Sequence, residues 1–252
     1  MAEVSAQDWL MLGLGAALVG MAKTAVSGAG ALAVVLFALA LPVRESTGAL
    51  LPLLLAGDVL ALSVYRRHAD WALLQRLLPG VLPGMLLGAW FLQSAGDRQV
   101  RVAIGAMLLT LLGYQLLAGR RLKVTEPAAG GVAARRALAV LTGAGAGFAT
   151  MTANAAGPLM TSYLLLLAIP TLSFLGTVGW FFFLVNLAKL PFSTGLGLIS
   201  REALLVDLLL LPALVMGAWV GALLIRRVDR STFERSALAA GLLSACLLVV
   251  NA

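Results

Sequence analysis

Apolar residues occur in long runs separated by short polar stretches, and this pattern predicts a chain built mainly from membrane-spanning helices. Such a helix needs about 20 predominantly apolar residues to cross the hydrocarbon core of a bilayer. A longer polar stretch, residues 119–136, divides the runs into two sets of five. The runs cover residues 9–22, 25–41, 43–65, 71–93, 100–118, 137–150, 155–169, 172–193, 203–225 and 236–250. We therefore expect a first membrane unit at residues 1–118, a linker at 119–136 and a second membrane unit at 137–252.

The first two runs of each set are shorter than most of the others. A helix of about 14 residues rises about 21 Å, which is less than the hydrocarbon core of about 30 Å. We therefore expect each short pair to form a re-entrant hairpin or two helices broken within the membrane. Both arrangements begin and end on the same side, so both remain open from the sequence.

The two sets resemble each other at an offset of 127 to 129 positions. The matches are Gly20 with Gly147, Gly30 with Gly157, Gly48 with Gly176, Asp58 with Asn186, Pro83 with Pro212, and Gly-Ala-Trp at 88–90 with 217–219. The Pro and Trp matches are informative because the chain has only nine Pro and five Trp. Each set makes an odd net number of crossings, so the sets form inverted-topology repeats, which are typical of secondary transporters. A duplication without a transport role is the alternative.

The composition narrows the class of protein. Hydrophobic residues make up 61% of the chain, charged residues make up 12%, and the mean hydropathy is +1.00. Soluble domains are about half apolar and about a quarter charged, so a water-soluble enzyme is excluded. A disordered chain is also excluded because it needs high charge and few apolar residues. The fold class that remains is an all-α polytopic membrane protein.

The net charge of +7 would suggest nucleic-acid binding in a soluble protein. In a membrane protein, Lys and Arg instead collect in cytoplasmic loops. Twelve of the 18 basic residues lie on the linker side, four lie on the opposite side, and Lys23 and Lys189 lie within the membrane. We therefore expect a cytoplasmic linker, both termini outside, and no nucleic-acid partner. The twelve are Arg66, Arg67, Arg76, Arg120, Arg121, Lys123, Arg135, Arg136, Arg226, Arg227, Arg230 and Arg235, and the four are Arg44, Arg98, Arg101 and Arg201.

Polar residues interrupt both short pairs and are the candidates for substrate binding. A broken helix exposes backbone N–H groups at the next helix start, and this positive end attracts anions. Hydroxyl and amide groups can donate hydrogen bonds to oxyanion oxygens, and Lys23 adds a full charge. Snorkelling of Lys23 to the cytoplasmic interface is the alternative. The candidate substrate-binding residues are Lys23, Thr24, Ser27, Gly28, Thr150, Thr152 and Asn154.

The third run of each set carries a second polar group. Asp58 matches Asn186, and Lys189 follows one helical turn later. An intramembrane carboxylate is a candidate proton relay or ion-pair partner. Asp58 could therefore couple transport to protons, or it could neutralise Lys23 or Lys189, and the two roles carry equal weight.

The chain resembles the sulfite exporter TauE/SafE family of anion permeases over essentially its whole length. The resemblance rests on the small and polar openings at residues 20–30 and 147–158, on Val-Arg-Glu-Ser-Thr-Gly at 43–48, and on the Pro-x4-Gly pattern at 83–88. It implies transport of sulfite or organosulfonates such as sulfoacetate across the bacterial cytoplasmic (inner) membrane. It also implies export rather than uptake.

These observations predict a secondary transporter for a small anion that works by alternating access at a midplane site. Uptake of an organic anion and a non-transporting membrane subunit are the alternatives. An intramembrane enzyme is disfavoured because Asp58 and Asp207, the carboxylates within runs, are expected near opposite ends. No metal-ligand spacing occurs, so we expect neither metal nor cofactor. The expected partners are the anion and the lipid bilayer, with proton or ion coupling and a homodimer left open.

Overall fold

The computed structural model describes residues 5–24, 29–96, 98–100, 102, 103, 106, 109, 110, 132–167 and 169–224. Within these residues the chain is helical and contains no strand. Helices α1 to α8 have the bounds Ala6–Thr24, Ala29–Ala40, Val43–Tyr65, Trp71–Ser94, Val132–Ala153, Gly157–Leu166, Thr171–Gly195 and Arg201–Leu224. A 3-10 turn, Arg66–His68, joins α3 to α4. The run at 236–250, most of the run at 100–118 and the linker up to residue 131 lie outside the described residues.

Four of these helices are long and apolar enough to cross a membrane. The spans are Glu45–His68, Trp71–Ser94, Leu172–Gly195 and Arg201–Leu223. They coincide with the four long predicted runs of α3, α4, α7 and α8. The surface agrees with this assignment, because the two matched tryptophans, Trp90 and Trp219, are 66% and 65% exposed on α4 and α8. The fold is therefore that of a multi-pass helical membrane protein.

The first helix of each set is longer than the apolar run that predicted it. α1 has 19 residues and α5 has 22, whereas α2 and α6 have only 12 and 10. α1 continues through Lys23 and Thr24, and α5 begins at Val132, inside the predicted linker. The difference has a simple cause: Ala, Arg and Lys are good helix formers, so a polar residue ends an apolar run without ending the helix. Only the second helix of each pair is short.

The helices pack in two groups. One buried apolar cluster joins α1, α2, α3 and α8, includes Leu12, Phe37 and Leu214, and also contains Leu92 of α4 and Met151 of α5. The other joins α4, α5, α6 and α7 and includes Leu77 and Phe181. α3 of the first group contacts α7 of the second. The buried polar residues Asp58 and Asn186 meet at the α3–α7 contact.

Two pairs of helices approach so closely that only glycine fits between them. α1 packs against α8, and α4 packs against α5. A Cβ atom at Gly20 would collide with the carbonyl oxygen of Leu214, and one at Gly84 would collide with that of Ala144. Small residues at such contacts let the backbones approach, which strengthens van der Waals packing in a membrane. Each close pair joins one helix from before the linker to one from after it.

Candidate functional site

Asp58 is the centre of a buried polar cluster formed by α1, α3 and α7. The carboxylate is fully buried. Its Oδ1 accepts a hydrogen bond from Lys23 Nζ at 2.6 Å, and its Oδ2 accepts one from Asn186 Nδ2, also at 2.6 Å. Two donors, one of them a cation, compensate for the loss of water around a buried carboxylate. Of the two lysines that could have neutralised Asp58, the structure therefore selects Lys23.

Lys23 reaches Asp58 from the last turn of α1 across the surface of α3. Its side chain is 12% exposed, and its Nζ lies 4.6 Å from the centre of the Phe182 ring on α7. Gly57 leaves room for this side chain, because a Cβ there would lie 2.9 Å from Lys23 Cγ. An aromatic face attracts an ammonium group, so the ring and the carboxylate together hold Lys23 in the protein interior.

Lys189 lies one turn after Asn186 on α7 and is fully buried. Its Nζ donates to the carbonyl oxygen of Thr150 at 2.8 Å and to Oδ1 of Asn154. Both acceptors are neutral, and no carboxylate of a described residue forms an ion pair with Lys189. A buried ammonium without a counter-charge is costly unless an anion joins it. Within the described part of the chain, Lys189 therefore carries the uncompensated positive charge of this region.

Asn154 connects three helices at the break between α5 and α6. Its φ of 50° is left-handed, a conformation that Asn tolerates better than most residues, and the amide of Ala155 donates back to Ala149 O. The side chain accepts from Lys189 and donates through Nδ2 to the carbonyl oxygen of Thr47 on α3 at 3.1 Å. The predicted break in the second short pair is therefore present, and it lies directly against the buried ammonium.

The other predicted binding residues divide into three groups. Thr24 donates to Ala218 O of α8 at 2.9 Å and to carbonyls of its own helix, so its hydroxyl serves the α1–α8 contact. Thr150 meets Lys189 through its backbone carbonyl, and the Thr152 hydroxyl donates to Phe148 O. Ser27 and Gly28 lie outside the described residues. The structure thus brings together Lys23, Asp58 and Asn186 in one cluster, and Lys189, Asn154 and Thr150 in an adjacent one.

Two buried polar residues near these clusters were not singled out from the sequence. Ser193 is fully buried one turn beyond Lys189, and its hydroxyl has no hydrogen-bond partner among the described residues. Thr47 is buried where α3 meets Asn154. Helical spacing from Asn186 through Lys189 would have identified Ser193, because the three lie on one face of α7. Oδ1 of Asn186 is also buried without a described partner.

The arrangement is suited to binding an anion. It contains two ammonium groups and a single carboxylate, and the carboxylate is already paired with Lys23. Asn154 stands at a helix break beside the unpaired ammonium and supplies an amide group. Buried groups of this kind in a membrane-spanning region usually mark a substrate or ion pathway.

The family model described as sulfite exporter TauE/SafE matches residues 12–248, which is nearly the whole chain. No curated protein and no solved structure shows significant similarity to it.

Proposed function

The chain belongs to the sulfite exporter TauE/SafE family, and on this premise we propose that it is a secondary transporter that exports a small sulfur-containing oxyanion. Sulfite and organosulfonates such as sulfoacetate are the proposed substrates. The protein would act in the bacterial cytoplasmic membrane, with both termini outside and without enzymatic activity, metal or cofactor. Transport would proceed by alternating access to a buried site.

The observation that carries this proposal is the buried, uncompensated Lys189. In our proposal the substrate oxyanion binds beside its Nζ and replaces the weaker neutral acceptors as counter-charge. Asn154 would donate its amide to a second oxygen, at the cost of the hydrogen bond to Thr47 that it makes in this structure. A charged hydrogen bond of this type contributes about 1.5–3 kcal/mol, which corresponds to about a 10- to 100-fold change in affinity.

Lys23 would have a secondary role at this site. Asp58 neutralises its charge, so Lys23 would hold the end of α1 against α3 and would not provide the main attraction for the anion. Ser27 and Gly28 remain proposed ligands of the anion. Asp58 and Asn186, which are hydrogen-bonded to each other, would form a fixed polar boundary of the site between the two lysines.

The helix contacts support an inverted repeat. Gly217 packs against Ala17 where α8 meets α1, and Gly84 packs against Ala144 where α4 meets α5. Ala17 and Ala144 are 127 positions apart, as predicted for the first helices. Gly84 and Gly217 are 133 positions apart, about one helical turn more than the predicted offset of 129. In our proposal these two closely packed helix pairs, α1 with α8 and α4 with α5, move as units relative to the α3–α7 contact.

The proposal is tested by sulfite flux from proteoliposomes with Lys189→Gln and, as a matched control, Arg67→Gln in the exposed 3-10 turn. We expect Lys189→Gln to lose flux by about 10- to 100-fold, and Arg67→Gln to retain it. Thermal stabilisation by sulfite, which reports binding directly, should be lost in parallel. Wild-type flux by folded Lys189→Gln would overturn the site assignment, and flux restricted to uptake would overturn export.

The variant Asn154→Asp provides a second test that preserves the left-handed backbone conformation between α5 and α6. Asp tolerates the left-handed conformation as Asn does, and its carboxylate would neutralise Lys189. We therefore expect a folded protein that has lost the hydrogen bond to Thr47 O and that binds sulfite more weakly. Unchanged binding in this variant would show that the free charge of Lys189 is not what attracts the anion.

A further inference from the structure

Asp207, on α8, is a second buried carboxylate, and its surroundings differ from those of Asp58. The residue is 4% exposed, and neither carboxylate oxygen has a hydrogen-bond partner among the described residues. An ionised carboxylate that is buried without a partner carries a large desolvation cost. The neutral, protonated form avoids that cost, because a carboxylic acid needs only ordinary hydrogen bonds.

Asp207 lines a pocket between α1, α2, α3 and α8. The pocket opens partly to the surface and has room for about one water molecule. Its walls are mostly apolar, and they include Leu12 of α1, Phe37 of α2 and Leu198. Among the described residues of the lining, Glu45 of α3, which is exposed, is the one other titratable side chain. No charged side chain described in α1, α2 or residues 198–200 lines the pocket.

The pocket is better suited to a proton than to a metal cation. Hard cations take six or more oxygen ligands, whereas the side-chain oxygens of this lining come from Asp207, Glu45 and Ser200. The Ser200 hydroxyl already accepts a hydrogen bond from the Ala203 amide. An apolar wall around a single buried carboxyl group instead favours its neutral form.

Packing does not require a carboxyl group at this position of the helix. With the offset of 133 positions that relates the glycine contacts of α4 and α8, the counterpart of Asp207 is Leu74. Leu74 is fully buried in the apolar cluster of α4 to α7. One half of the molecule thus places a leucine where the other half places an unpartnered acid.

We propose that Asp207 is a proton-binding site that exchanges with solution through the pocket at the end of the bundle where α3 and α8 begin. The ionised form needs water and so requires an open pocket, whereas the protonated form is compatible with a closed, dry one. Proton occupancy therefore selects between two states of the α1–α8 pair. The link to anion movement rests on the proposed transport function, whereas proton binding itself does not.

Proton binding is tested on purified protein without any substrate. Infrared difference spectra between acidic and alkaline samples should show the carbonyl stretch of a protonated carboxylic acid. We expect the part of that band that remains after the exposed carboxyl groups have ionised to disappear in Asp207→Asn and to persist in Glu45→Gln. Reaction with dicyclohexylcarbodiimide, an apolar reagent for protonated carboxyl groups, should modify Asp207 and decline as the pH rises. A band unaffected by Asp207→Asn, or no pH-dependent adduct, would overturn the proposal.

The coupling is tested by sulfite flux in proteoliposomes with and without a pH gradient. We expect the gradient to accelerate flux in the wild type and in Glu202→Gln, an exposed control on the same helix. Asp207→Asn and Asp207→Leu should lose that acceleration. Acceleration retained in both Asp207 variants would overturn coupling through this site. Absence of flux from every protein, with the infrared band intact, would instead count against the transport function and leave the proton site standing.

Discussion

The two intramembrane lysines have the same chemistry but different surroundings. Lys23 forms an ion pair with Asp58 at 2.6 Å, whereas Lys189 rests on a carbonyl and an amide oxygen. A buried pair of charges is neutral as a unit, but a lone buried charge attracts whatever anion can reach it. Loss of the ammonium group should therefore have different effects at the two positions.

Lys23→Met should destabilise the protein, because it leaves Asp58 buried with only Asn186 as partner. Removing one member of a buried ion pair typically costs about 3–5 kcal/mol. The double variant Lys23→Met/Asp58→Asn should recover much of that loss, since no charge remains to be compensated. Thermal unfolding of the detergent-solubilised proteins measures both effects. Equal unfolding temperatures for the single variant and the wild type would contradict the ion pair.

Residue types within the site were more predictable than their partners. The polar residues within and between the apolar runs gave Lys23, Asp58, Asn186, Lys189 and Asn154 as candidate intramembrane groups. The sequence left open which lysine Asp58 meets, because both lie far from it along the chain. Ser193 and Asp207 were not singled out for a site. The spacing of Ser193 from Asn186 and Lys189 could have identified it, whereas nothing in the sequence indicates that the Asp207 carboxylate has no hydrogen-bond partner among the described residues.

At the scale of the helix, the glycines of α1 show where along its length the close contact with α8 lies, because Gly13 and Gly20 are two turns apart on one face. A Cβ atom at Gly20 would collide with the backbone of α8, whereas one at Gly13 would meet nothing within 4 Å. The same residue type therefore has a packing role at one position and none at another, two turns earlier on the same helix.

Gly20→Ala should lower the unfolding temperature and the yield of monodisperse protein, because α1 and α8 would have to separate. Gly13→Ala is the matched control. Ala is favoured over Gly in helices by about 1 kcal/mol, so this variant should be as stable as the wild type or slightly more so. Fluorescence-detected size exclusion after heating measures both variants. Similar behaviour of the two would show that the α1–α8 contact does not limit stability.

Helix positions were largely predictable, but helix ends were not. Hydropathy located α3, α4, α7 and α8 because long apolar runs and membrane spans have the same length. It placed the end of α1 too early, since Lys23 and Thr24 are polar yet helical. A polar residue whose partner lies on another helix does not interrupt its own backbone hydrogen bonds.

At the scale of the whole molecule, the two repeats align at an offset of 129 by their tryptophans but at 133 by the glycines that contact neighbouring helices. The exposure of the tryptophans explains this difference of one turn. Trp90 and Trp219 are largely exposed, so packing does not fix their register. The glycines that touch the neighbouring helix follow a different shared pattern, Pro-x4-Gly-x3-Gly. That pattern occurs at residues 79–88 and 212–221.

The predicted topology is tested with single cysteines introduced into a Cys246→Ser background. His68→Cys lies in the turn between α3 and α4, and Gly195→Cys lies at the end of α7. The distribution of basic residues places the first inside and the second outside. A membrane-impermeant maleimide should therefore label Gly195→Cys in right-side-out vesicles and His68→Cys in inverted ones. The reverse labelling would invert the topology and place both termini in the cytoplasm.

The crossed pairing of the helices also sets an order of biosynthesis. The Thr24 hydroxyl and the Ala218 carbonyl that it meets are 194 residues apart, so α1 enters the membrane long before its main partner has been translated. The partner of α4 is made much earlier, because α5 follows it after the linker. The group formed by α4, α5, α6 and α7 can therefore assemble first. The glycine-bearing face of α1 remains exposed to lipid until α8 has been translated.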